Sequence, residues 1–114
     1  MSTVSFGKRE RIKFKAEGSL GQWRPASGPA IYAITYKQEP DSRPKSHTVL
    51  FFGESDNLAD EVARIDQDFG QWRQQYAQDA ELFVFSCPMP GSSKFERSRI
   101  ASSLVLEYDP KANN

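Results

Sequence analysis

The chain has 114 residues, 38% hydrophobic and 26% charged, with 15 basic and 15 acidic side chains and a formal net charge of zero. That length fits one domain with a modest core, the balanced charge does not mark a nucleic-acid binder, and no apolar run approaches the about 18 residues that span a membrane. The opening M-S-T-V-S-F-G-K-R-E has no apolar h-region and Cys87 is the only cysteine, so neither secretion nor an internal disulfide is expected, and the reading is of a cytoplasmic protein.

Residues 1–27 read as a basic strand and a connector. Lys8, Arg9, Arg11, Lys13 and Lys15 stand against the single acid Glu10. Arg11 to Lys15 alternates charged and apolar residues, the pattern of a half-buried strand at a sheet edge, where lysines discourage pairing with other chains. The alternative for this cluster is a nucleic-acid contact. Trp23, in the connector before Gly28, is expected to cover one end of the core.

Residues 28–114 hold the main pattern. Ala30 to Tyr36 and Thr48 to Phe52 are rich in β-branched and aromatic residues and predict two strands. The polar segment 38–46 between them contains two prolines, so a loop should join them as an antiparallel hairpin. His47, the only histidine, falls in that loop and reads as a surface residue; one histidine makes neither a zinc cluster nor a triad. Asn57 to Tyr76 predicts a helix in which Leu58, Val62 and Ile65 form a buried stripe continued by Phe69, Trp72 and Tyr76, with Gly70 as a break or bend. Its beginning is acidic: Glu54, Asp56, Asp60, Glu61, Asp66 and Asp68 surround Arg64 alone. Glu81 to Ser86 predicts a central strand with Cys87 as a small residue at its end. Ser93 and Glu96 have the spacing of a capping box, so a last helix should start there, with Phe95, Ile100, Leu104 and Val105 or Leu106 on its apolar side. Pro110 ends it, and K-A-N-N is a short tail. The fold class is α/β, a small and mainly antiparallel sheet with flanking helices.

A-I-Y at 30–32, F-F-G at 51–53, E-S-D-N-L at 54–58 and P-K-A-N at 110–113 resemble, in order and spacing, the signatures of the GIY-YIG nuclease domain. The resemblance covers residues 28–113. It implies a metal-assisted phosphodiester hydrolase in which a tyrosine activates water, a second tyrosine and a helix arginine hold the phosphate, and a glutamate on the later helix holds Mg²⁺ or Mn²⁺. Tyr32 matches the first tyrosine, Gly53, Asn57 and Leu58 the turn and helix start, and Pro110 and Asn113 the final signature. The other chemical positions are altered. Phe51 stands for the second tyrosine, Glu61 for the arginine and Ala101 for the metal glutamate.

A carboxylate in place of the arginine repels phosphate where the family attracts it, and Asp60 adds to that field. The expectation is therefore a GIY-YIG-like domain without catalysis or cofactor, serving as an interaction or scaffold module for a protein partner, with DNA disfavoured by the acidic helix. The alternatives are a divergent Mg²⁺- or Mn²⁺-dependent DNA endonuclease with relocated groups, or a nucleic-acid binder without chemistry. Tyr32 and Arg64 are the candidate catalytic residues of a relocated site, with Glu96 as its carboxylate and Arg97 and Arg99 as further phosphate partners.

Overall fold

The computed structural model describes residues 3–8, 11–19, 22–25, 27–36, 48–76 and 82–113, with the backbone alone at 69, 70, 72, 73 and 76. Five strands, β1 (Thr3–Phe6), β2 (Ile12–Ser19), β3 (Ala30–Tyr36), β4 (Thr48–Ser55) and β5 (Leu82–Pro88), form one antiparallel sheet in the order β1-β2-β5-β3-β4. Helices α1 (Leu58–Tyr76) and α2 (Lys94–Tyr108) and a single 3-10 turn at Lys111–Asn113 complete the fold. No described helix is long and apolar enough to cross a membrane. His47, the 38–46 loop and the side chains of Phe69, Trp72 and Tyr76 lie outside the described residues.

β3 lies between β5 and β4, and every residue in it is buried. A strand covered on both faces does not alternate, which is why A-I-Y-A-I-T-Y reads as one apolar run. Tyr32, Ile34 and Tyr36 join the core on the α1 side with Leu58 and Ile65. Ile31 and Ala33 join the opposite core with Phe52, Ile100 and Leu104 of the α2 side. A bulge after Ile34, where its partner on β4 steps from Phe51 to Val49, turns Leu50 toward the α1 side. Trp23 is fully buried on that side, as expected, and its indole Nε1 donates to Asp66 at 2.8 Å.

The N-terminal segment is more integrated than its pattern implied. β2 pairs with β1 on one side and β5 on the other, so it is not an edge strand. The edge is β1, whose four residues are too few to show a period. Phe6 and Phe14, from these two strands, meet edge to face at 5.2 Å inside the α2-side core.

Two further expectations are corrected, at Gly70 and Phe95. α1 is continuous through Gly70, because the turns on either side supply the hydrogen bonds that one glycine weakens. Cys87 is the penultimate residue of β5, close to its end and half-buried, and burial pushes its thiol up and away from the reactive form. Phe95 does not face the core. It is 78% exposed and Leu106 is 85% exposed, while Arg97, Ile100, Ala101 and Leu104 point inward. The capping box does form: Ser93 Oγ accepts from Glu96 N at 3.1 Å, and Glu96 Oε1 accepts from Ser93 N at 3.4 Å. α2 ends at Asp109, in the left-handed conformation at φ 49°, with its N–H bonded to Val105 O.

Candidate functional site

The residues that carry chemistry gather where β3 and β4 pass beneath the first turns of α1. Tyr32 is directly opposite Gly53 on β4 and Ser86 on β5. A Cβ at position 53 would stand 2.6 Å from both Cζ and Oη of Tyr32 and 2.7 Å from Phe51 Cε2. The phenol therefore lies across the Gly53 backbone, with the Phe51 ring 5.9 Å from the tyrosine ring. Gly53→Ala is expected to destabilise the protein by about 1–3 kcal/mol, measured by denaturant unfolding, because the buried ring has little room to yield.

Arg64 and Glu61, one helical turn apart, stand over the phenol. Arg64 Nη2 reaches Glu61 Oε2 at 2.9 Å, and its Nη1 reaches Asp68 Oδ2 at 3.5 Å. Burial is the main influence on Tyr32 and pushes its hydroxyl up; Arg64 opposes this by charge and by a hydrogen bond, and Glu61 adds to the rise. The outcome is a pKa of about 12. Holding this residue as phenolate at neutral pH would cost on the order of 7 kcal/mol. Tyr32 is thus a neutral phenol, not a ready base.

The raised value also predicts alkaline behaviour. Tyr32 in the unfolded chain ionises near its ordinary value of about 10, whereas the folded protein keeps its proton until about pH 12. The stabilisation is present below the lower value and is lost between the two, by about 3 kcal/mol. Unfolding curves from pH 9 to 12 should show this fall, and Tyr32→Phe should reduce its slope.

The remaining signature residues act as braces. Asn57 Oδ1 accepts from Gly28 N at 3.0 Å, and Gly28 O accepts from Leu58 N at 3.1 Å, tying the start of β3 to the start of α1. Leu58 is buried in the α1-side core. Pro110 is buried and leads into the turn that carries Asn113. The Asn113 side chain takes the place of a neighbouring strand: its Oδ1 accepts from Phe52 N at 2.9 Å, and its Nδ2 donates to Phe52 O at 3.0 Å. Residues 111–113 are therefore no loose tail. These pairings link residues far apart in sequence, and spacing alone did not reveal them.

Ala101 belongs to the core on the α2 side, across the sheet from Tyr32. On the α2 side of β4 opens a groove of roughly 570 Å³ whose walls include Gly53, Glu54, Ala101, Ser102 and Leu106. Glu54 is its nearest carboxylate, but it is engaged: Lys94 Nζ reaches Oε1 at 2.9 Å and Arg97 Nε reaches Oε2 at 3.0 Å. Arg97, 2% exposed, also pairs with Asp56 and donates to Ser92 O at 2.8 Å. It is a buried anchor, not the phosphate partner expected of it. Glu96 is held in the capping box, so the structure brings Tyr32 and Arg64 together without it. Among the described residues no three His, Cys, Asp or Glu side chains converge as a metal site, and one carboxylate, Glu54, with an alanine at 101 does not make a divalent-cation donor set.

The acids that crowd residues 54–68 are each engaged. Besides Glu54, Asp56, Glu61 and Asp68, Asp66 accepts from Trp23 and Asp60 accepts from Asn57 Nδ2 at 3.0 Å. Comparison with protein-family models, curated proteins and solved structures finds no match.

Proposed function

We propose that the chain is a non-catalytic GIY-YIG-like domain that works as an interaction or scaffold module. The observation that carries this reading is the closed triad of Tyr32, Arg64 and Glu61. The cation beside the phenol is already neutralised by a carboxylate 2.9 Å away, and a phosphate would have to displace that partner. Two further features support it: the phenol's high pKa and an alanine at the position where the family places its metal glutamate. The rim left for a partner is formed by half-buried Phe51 and by Arg64 with Glu61. Such a rim suits a polar or cationic protein surface better than a phosphate backbone.

The test is a single-turnover assay with branched and single-stranded DNA in Mg²⁺ or Mn²⁺. No cleavage is expected; divalent-dependent cleavage lost in Tyr32→Phe would overturn the reading. Glu61→Gln supplies a second check. Removing the carboxylate takes away a charge that raises the Tyr32 pKa, so the tyrosine ring carbons should titrate at lower pH by NMR.

The juxtaposition of Tyr32 with Arg64 favours one other reading, a divergent endonuclease with relocated groups. It requires a specific divalent ion bound beside Tyr32. Titration with Mn²⁺, followed by paramagnetic broadening, should leave the Tyr32 and Ala101 resonances unaffected if the first reading holds.

A further inference from the structure

Among the described residues, a group of cations without ion pairs lies at the β1–β2 end of the sheet. Lys8, Arg11 and Lys13 are exposed, and their side chains have no ion pair among the described residues. Lys15 is 42% exposed and 3.7 Å from Glu17, a carboxylate already engaged by the Ser86 hydroxyl. The acids of α1, by contrast, are consumed within the molecule.

Lys13 and Lys15 stand on β2, one strand inside the edge that β1 forms, and Lys8 and Arg11 lie in the segment joining β1 to β2. Among the described residues β1 has a strand neighbour only on its β2 side, so the outer row of backbone groups of Thr3–Phe6 has no strand partner among them. Just past its end, Gly7 N donates to Tyr108 Oη at 2.9 Å and Lys8 N to Glu107 Oε1 at 3.0 Å. The register sets Thr3 opposite Lys15 and Ser5 opposite Lys13, all four on one face. Val4 and Phe6 lie on the other face, packed in the core with Phe14. An incoming strand would thus meet the Thr3 and Ser5 hydroxyls on one side, with the Lys13 and Lys15 ammonium groups behind them, and half-buried Val4 on the other, where Tyr108 already covers Phe6.

We propose that β1 is a docking edge for an extended protein segment that alternates acidic and apolar residues and adds a sixth strand to the sheet. Backbone hydrogen bonds to β1 would hold the segment. Its carboxylates would lie beside Thr3 and Ser5 and reach across β1 toward Lys13 and Lys15, and its apolar side chains would lie beside Val4, next to the Tyr108 ring that packs on Phe6. Charge complementarity selects this occupant over a neutral or basic strand. The proposal stands on the β1–β2 hairpin and is independent of the chemistry at Tyr32.

The test uses the whole chain and a soluble octapeptide alternating glutamate with valine, with an octapeptide alternating lysine with valine as control. Fluorescence anisotropy should show binding of the glutamate peptide alone. Hydrogen exchange of amides within Thr3–Phe6 should slow when it is present. Lys13→Glu with Lys15→Glu should weaken binding at least tenfold while leaving the unfolding midpoint close to the parent's, since both side chains reach solvent. Equal binding of the two peptides, binding without slowed exchange in β1, or pairing of two copies through β1 in sedimentation without peptide would each overturn the proposal. So would an oligonucleotide that binds these lysines in preference to the peptide.

Discussion

Replacing Arg97 by alanine is expected to destabilise the protein by about 3–5 kcal/mol, read from denaturant unfolding. The guanidinium is buried at the base of α2, where it joins Glu54 of β4, Asp56 of the β4–α1 turn and the Ser92 carbonyl. Its loss strands the Glu54 carboxylate, which is 14% exposed, with only Lys94 as partner, and leaves a void beneath the helix. Arg97→Met should restore bulk but not charge and remain markedly destabilised. Adding Glu54→Gln to Arg97→Met should recover part of the loss, because the stranded charge is then gone.

The same cluster fixes an acid limb. Burial would raise the Glu54 carboxyl, but the hydrogen bonds and charges of Lys94 and Arg97 outweigh it and hold the carboxyl below its ordinary value. The folded state therefore binds this proton less readily than the unfolded chain. The stabilisation is fully present above the ordinary glutamate pKa and disappears as pH falls through the depressed folded value. Glu54→Gln should flatten stability against pH in that acidic window.

Trp23→Ala is the second large effect, about 3–5 kcal/mol by the same measurement. The indole is fully buried in the α1-side core. Trp23→Phe keeps most of the apolar volume and forfeits the 2.8 Å bond to Asp66. It should cost about 1 kcal/mol, because Asp66 is half-exposed and can take up water instead.

Trp23 also illustrates how the sequence could be read. A large aromatic in the connector of a small domain has few places to go but the core, so its role was legible without knowing its partner. The β3–β4 hairpin and the Ser93–Glu96 capping box were equally legible, because local spacing specifies them. Arg97 was not. Its acidic partners lie 41 and 43 residues earlier, and a helix pattern scored by apolarity assigns an arginine to solvent and Phe95 to the core. At the candidate site, the proximity of Arg64 to Glu61 followed from helical spacing, whereas the enclosure of Tyr32 by both depended on how α1 crosses the sheet. β1 escaped notice because four residues are too few to establish a period, and with it the true edge of the sheet was misplaced.

Asn113 bears on a hazard that has nothing to do with ligands. The outer strand β4 ends the sheet on its side, and a bare margin there would invite neighbouring molecules to stack through their backbones. One amide side chain, folded back by the turn after Pro110, occupies the N–H and C=O of Phe52 in the middle of that margin. It behaves as a stopper one residue long. Removing residues 111–114, or replacing Asn113 by alanine, should thus do more than lower stability. It should turn a guarded edge into an adhesive one, visible as concentration-dependent light scattering under conditions where the parent stays clear.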